Sequence, residues 1–118
     1  MPIELLPNNG KPNLKLPTAN STIQEPLEEV VRMEAESNYS KVVFANRPPI
    51  FVARTLGVFE KLLTGRKFFR VHHKHLVNMP HIQKYDKTES FVEFKDGTNV
   101  PVSRRRRDSF LAIFEKND

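Results

Sequence analysis

Cysteine and tryptophan are both missing from this chain of 118 residues, and only four glycines occur. Without cysteine there can be no disulfide and no thiolate metal site, which suits a reducing compartment and an expected cytoplasmic location. No apolar run approaches the ~18–20 residues that cross a bilayer, so no membrane partner is expected. The N-terminus carries no basic stretch followed by an apolar one, so no secretion signal is read there. Neither a Walker loop, nor GxGxxG, nor GxSxG is present, which leaves nucleotide hydrolysis and serine hydrolysis without their usual supports. No cofactor is expected.

What is present is positive charge, unevenly placed. Residues 1–63 hold seven Lys/Arg and seven Asp/Glu, whereas residues 64–118 hold twelve against seven. The whole formal charge of +5 and the basic pI of about 9.7 therefore come from the second half. A lopsided basic surface points to nucleic acid, an anionic membrane or an acidic protein.

The first twenty residues contain Pro2, Pro7, Pro12 and Pro17. Prolines at this density remove backbone donors and forbid helix, so residues 1–20 are expected to form an extended arm or linker, with Leu14 and Leu16 able to pair as a short edge strand. Residues 21–118 then make the one domain that this length supports. Short strands are expected over Val30–Glu36, Lys41–Ala45 and Ile50–Arg54, the last two separated by Pro48-Pro49. Thr55–Thr64 reads as a helix, with Thr55 as its N-cap, Leu56, Phe59, Leu62 and Leu63 on one face, and Gly65 as its stop. Ile82–Tyr85, Ser90–Phe94 and Asn99–Val102 are further strands, and Asp96-Gly97 marks a hairpin, because glycine supplies the positive φ of a primed turn. A second short helix is expected from about Ser103, with Phe110, Ile113 and Phe114 at i, i+3, i+4.

Two segments set cationic side chains beside apolar residues that should be buried. One is Phe68-Phe69-Arg70-Val71-His72-His73-Lys74-His75-Leu76-Val77-Asn78, and the other is Val100-Pro101-Val102-Ser103 followed by Arg104–Arg107. Arginines in the first turn of a helix oppose the positive end of its dipole, an arrangement that arriving phosphates would relieve. Arginine also pairs bidentately with phosphate or with guanine edges. Read as one extended segment, His73 and His75 share a face, and His72 and Lys74 share the other. The HHKH spacing matches no standard zinc pattern, so no metal is expected. Glu34 and Glu36, two apart on one strand, lack the third group that catalysis would need. No enzyme activity is expected.

These residues together resemble the LytTR DNA-binding domain, the output module of many bacterial response regulators in two-component systems. Arg32-Met33-Glu34-Ala35-Glu36-Ser37-Asn38-Tyr39 is similar to the family's Y-I-E-A-x-x-N-Y segment. Arg54-Thr55-Leu56, Phe59-Glu60 and Leu63 are similar to its helix. Phe68 to Asn78 is similar to FfRvHrSylVN, and Asp96-Gly97 with Pro101-Val102-Ser103-Arg104-Arg105 is similar to dG..ipvSrry. The likeness runs from about residue 20 to 115. It implies a mainly β fold, an elongated stack of three short antiparallel sheets with about ten strands, one short internal helix and a short C-terminal helix. It also implies sequence-specific binding of double-stranded DNA for transcriptional regulation, with loops entering successive major grooves.

Carried over by position, the resemblance makes Ser40, His73 and Arg105 the base-contacting residues. Tyr39, Lys41, Arg70, His72, Lys74, Arg104, Arg106 and Arg107 would hold phosphates or support them. Where the family often has Arg-Ser after the first histidine, this chain has His73-Lys74, so the base preference is not inherited. The implied partners are paired direct repeats in DNA, a second copy of the chain on that DNA, and a receiver domain or sensor system in a longer chain or separate protein. Two other readings of the basic half stay open: an interaction module for an acidic protein, and a single-stranded nucleic-acid binder. The second wants exposed aromatic platforms, for which Tyr39 is the candidate.

Overall fold

The computed structural model describes residues 2–116. The chain runs through β1 (Glu4–Leu6), β2 (Asn13–Pro17), β3 (Thr22–Pro26), β4 (Val30–Glu36), β5 (Tyr39–Phe44), β6 (Ile50–Val52), α1 (Leu56–Leu62), β7 (Phe68–His72), β8 (His75–Asn78), β9 (Ile82–Asp86), β10 (Phe91–Phe94), β11 (Asn99–Pro101) and α2 (Arg107–Lys116). Single turns of 3-10 helix fall at Leu27–Glu29, Met79–His81 and Arg104–Arg106. The strands form three antiparallel sheets, ordered β1-β2-β3, β6-β5-β4-β8-β7 and β11-β10-β9.

The five-stranded sheet is the middle layer, and it is covered on both faces. On one face Met33, Val42 and Leu76 meet Leu14 and Leu16 of the N-terminal sheet and Leu56, Phe59 and Leu63 of α1. On the other, Val31, Val71 and Val77 meet Val92, Phe94 and Val100 of the C-terminal sheet, together with Phe110 of α2. A strand buried on both sides reads as a nearly continuous apolar run, which is why Val30-Val31 stands at the start of β4. Each large side chain taken fully out of water here, such as Phe59 or Phe94, contributes about 1.5–3 kcal/mol.

The expected N-terminal arm is instead a sheet. β1 pairs with β2 and β2 with β3, and Leu14 and Leu16 are completely buried. β2 is the central strand of its sheet rather than an edge. The prolines flank the strands: Pro2 and Pro7 bracket β1, Pro12 precedes β2 and Pro17 ends it.

The helices are shorter than their periodicity suggests. α1 ends at Leu62, and Thr55, at its N-cap, makes no side-chain capping bond. α2 begins at Arg107 after the 3-10 turn, and Ser103 likewise caps with backbone geometry alone. Phe110 and Phe114 pack as expected, with rings 5.3 Å apart. Ile113, however, faces outward, and Leu111 joins the core instead. Gly97, at φ +90°, turns the β10–β11 hairpin, where Asp96 Oδ1 accepts the Thr98 N–H at 2.9 Å.

Candidate nucleic-acid interface

Three segments meet at one end of the middle sheet. The first is the β4–β5 turn, closed by the pair Glu36–Tyr39, so that Ser37 and Asn38 form a two-residue tip with Ser37 at φ +57°. The second is the β7–β8 turn, closed by His72–His75, with His73 and Lys74 at its tip. β4 pairs with β8 through Glu34 and His75, and the Ala35 N–H donates to the Lys74 carbonyl at 2.9 Å, so these hairpins stand side by side. The third is the arginine run, which the Ser103 N–H ties to the Val71 carbonyl at 2.8 Å. With strands ~4.8 Å apart, neighbouring hairpin tips are about 10 Å apart and the whole row is about 20 Å long.

Within this row the expected residues divide by what holds them. His73, Lys74, Arg104, Arg105 and Arg107 are exposed. Tyr39 is half-exposed beside Asn38, a tip residue within the matched motif that is not among the expected contacts. Lys41 is half-buried, opposite Glu34 on one side and Phe51 on the other.

Ser40 does not belong to the exposed set. It is fully buried, and its Oγ donates to the Arg54 carbonyl at 2.6 Å. The alternation of β5 sends Tyr39 and Lys41 outward and Ser40 inward, beneath the β5–β6 pairing. Its side chain thus makes a hydrogen bond inside the fold and presents nothing to the surface.

Arg70 and Arg106 are also held from within. The Arg70 guanidinium donates from Nε to the His72 carbonyl at 3.2 Å and from Nη2 to the His73 carbonyl at 2.5 Å, while Nη1 pairs with Glu60 of α1 at 2.9 Å. Arg106 Nη1 donates to the Arg70 carbonyl at 3.0 Å. These two arginines fix the histidine turn against α1 and against the arginine run. Glu60 is a supporting residue that sequence spacing alone does not pair with Arg70.

The turn also reverses the expected histidine faces. Because His73-Lys74 is a tip, His72 and His75 become cross-strand partners on one face, their rings 5.3 Å apart, and His73 stacks on His72 at 4.5 Å. The Lys74 N–H donates to His72 Nδ1 at 3.1 Å, which places the proton of neutral His72 on Nε2. Burial, with His73, Lys74, Arg106 and Arg70 nearby, holds the His72 pKa below the ordinary imidazole value. Burial lowers His75 further, to about 4, against the pull of Glu34. Glu34 Oε1 pairs with Arg32 at 2.9 Å and lies 3.8 Å from His75 Nδ1, leaving this carboxylate engaged in an ion pair. His81 lies elsewhere, with Nε2 2.6 Å from the Glu28 carbonyl oxygen.

The surface is thus a rigid row of imidazole, ammonium and guanidinium groups, able to meet a line of phosphates and to offer a few donors between them. Among the described residues no helix is long and apolar enough to cross a membrane. No curated protein matches the chain. A solved LytTr DNA-binding domain, from a Bacillus cereus protein described as a methyl-accepting/DNA response regulator, is similar in structure. Its TM-score is 0.74 at 27% sequence identity, with 86% of this chain and 94% of that chain covered. The sequence model for the LytTr DNA-binding domain matches residues 20–115, the span that holds all three projecting segments, and the chain accordingly belongs to the LytTr DNA-binding domain family.

Proposed function

We propose that this domain reads double-stranded DNA by sequence in transcriptional control. In this reading the Ser37–Tyr39 tip, the His73–Lys74 tip and Arg104–Arg105 approach the grooves together. The observation that carries it is the alignment of these segments along one end of the sheet, each anchored by buried packing or by backbone hydrogen bonds. A row of about 20 Å exceeds the ~12 Å major-groove width, so it reaches groove edges and the phosphates on either side. The 43 Å long axis of the molecule exceeds the ~34 Å helical repeat, which favours contacts in successive grooves.

His73 and Arg105 are the side chains assigned to base edges, with Asn38 and Tyr39 taking the place that buried Ser40 leaves. Lys74, Arg104 and Arg107 hold phosphates. Arg70, His72 and Arg106 position the reading turn. The domain acts in the cytoplasm as the output part of a response-regulator system, with two copies on paired direct repeats.

Selection of bound duplexes from a random library, followed by footprinting, tests the reading. A conserved core in the selected sequences, protected as two repeats, is the expected result. Equal recovery of all duplexes, or preference for single strands in competition, overturns it.

A further inference from the structure

The end of the sheet away from the histidine turn carries its own basic cleft. Its rim is formed by Lys11 in the β1–β2 turn and by Arg66 and Lys67 in the connection from α1 to β7. All three side chains are exposed, and none forms an ion pair among the described residues. Glu28 is the single carboxylate on the lining. Leu27 and half-buried Phe68 give the cleft, of about 340 Å³, an apolar floor.

The cleft is held by bonds that cross its walls. The Leu27 N–H donates to the Pro12 carbonyl at 3.0 Å, and the Met79 N–H donates to the Lys67 carbonyl at 2.8 Å. Asn78, itself buried, donates from Nδ2 to the Val30 carbonyl at 2.8 Å. A site held open in advance loses little freedom when something enters it.

We propose that this cleft docks an acidic protein segment carrying one bulky apolar side chain, with the carboxylates on Lys11, Arg66 and Lys67 and the apolar group on Leu27 and Phe68. The charge balance of the rim selects an anion. The apolar floor favours a peptide over a phosphate backbone, which has nothing to place there. β7 is five residues long, so the cleft lies about 17 Å from the histidine turn and stays accessible while that turn is on DNA.

The test is fluorescence anisotropy of a labelled twelve-residue peptide of Asp and Glu with a central Phe-Leu pair, titrated with the full chain. Binding is expected, and the double variant Lys11→Glu/Lys67→Glu should weaken it by about tenfold, while duplex affinity stays within about twofold. A peptide with Ser in place of Phe-Leu should bind several-fold more weakly. No binding of the first peptide, equal binding of both peptides, or an unaffected double variant overturns the proposal. So does displacement of the peptide by duplex. A loss of duplex affinity in the double variant would instead assign the cleft to DNA.

Discussion

Arg106 donates from Nη1 to the backbone carbonyl of Arg70, joining the arginine run to the strand that carries the histidine turn. Arg70 in turn grips the carbonyls of His72 and His73. Arg106→Ala removes the outer link of this chain and should cost about 0.5–1.5 kcal/mol of stability. Duplex affinity should fall with it, while the preferred sequence stays the same. Urea unfolding together with repeat selection of bound duplexes measures both, and a changed preference would make Arg106 a reading residue.

Arg105 and Lys74 differ in what they should do on DNA. Arg105→Ala is expected to relax discrimination at one base pair by about 1–3 kcal/mol. Lys74→Ala should weaken all duplexes alike and reduce the slope of log affinity against log salt by about one. Titrations against matched and mismatched duplexes over a salt series separate the two. An Arg105 variant that loses the same affinity for every duplex would refute its assignment.

Ser40→Ala withdraws the buried donor of the Arg54 carbonyl, at an expected cost of about 1–2 kcal/mol in unfolding free energy. Its base preference should match the parent's once both are folded. Tyr39→Ala, at the exposed neighbour, should leave the unfolding midpoint nearly unchanged and lower duplex affinity. The reverse pattern would return the base contact to Ser40.

His75 links stability to pH. Its pKa in the folded chain is about 4, below the ~6.5 of an unfolded histidine, so the unfolded chain takes up a proton first as pH falls. The stabilisation is complete above about pH 6.5 and is lost as pH drops toward 4, with His72 acting in the same direction. For His75 the loss should be about 1–2 kcal/mol, after allowance for solvent screening of a partly buried group. Urea midpoints between about pH 7 and 5 lie above most carboxylate titrations and should fall. In His75→Gln that slope should flatten, and an unchanged slope would place the linkage elsewhere.

Leu16 tests the status of the N-terminal sheet. It is completely buried against the middle sheet, and Leu16→Ala should cost about 2–5 kcal/mol. Removal of residues 1–20 should abolish cooperative unfolding. A truncated chain that melts with the parent's midpoint would make the segment dispensable.

The parts of the fold that were legible in the sequence are those in which local chemistry and tertiary packing agree. The Leu56–Phe59–Leu63 face, the Asp96-Gly97 hairpin and the strand from Val30 to Glu36 all appear where their patterns place them. The N-terminal sheet was hidden because its prolines sit at strand boundaries, where they cost no ladder hydrogen bond, yet their density imitates a linker. The histidine hairpin was hidden because His73-Lys74 contains no glycine, proline or asparagine to announce a turn. For that reason His72 and His75 seemed to lie on opposite faces when they are cross-strand partners. Ser40 lies one residue before the expected strand Lys41–Ala45, whereas β5 begins at Tyr39 and its alternation turns Ser40 inward.

One hydrophobic core closes on each face of the middle sheet, and the hairpin tips at Asn38 and His73 lie outside both. Asn38 and His73 are exposed, so exchanging their side chains removes no core contact and leaves the scaffold's stability largely conserved. On the proposed DNA reading, drift in target preference is uncoupled from the risk of unfolding, a freedom that a reader built from core-packed positions would lack.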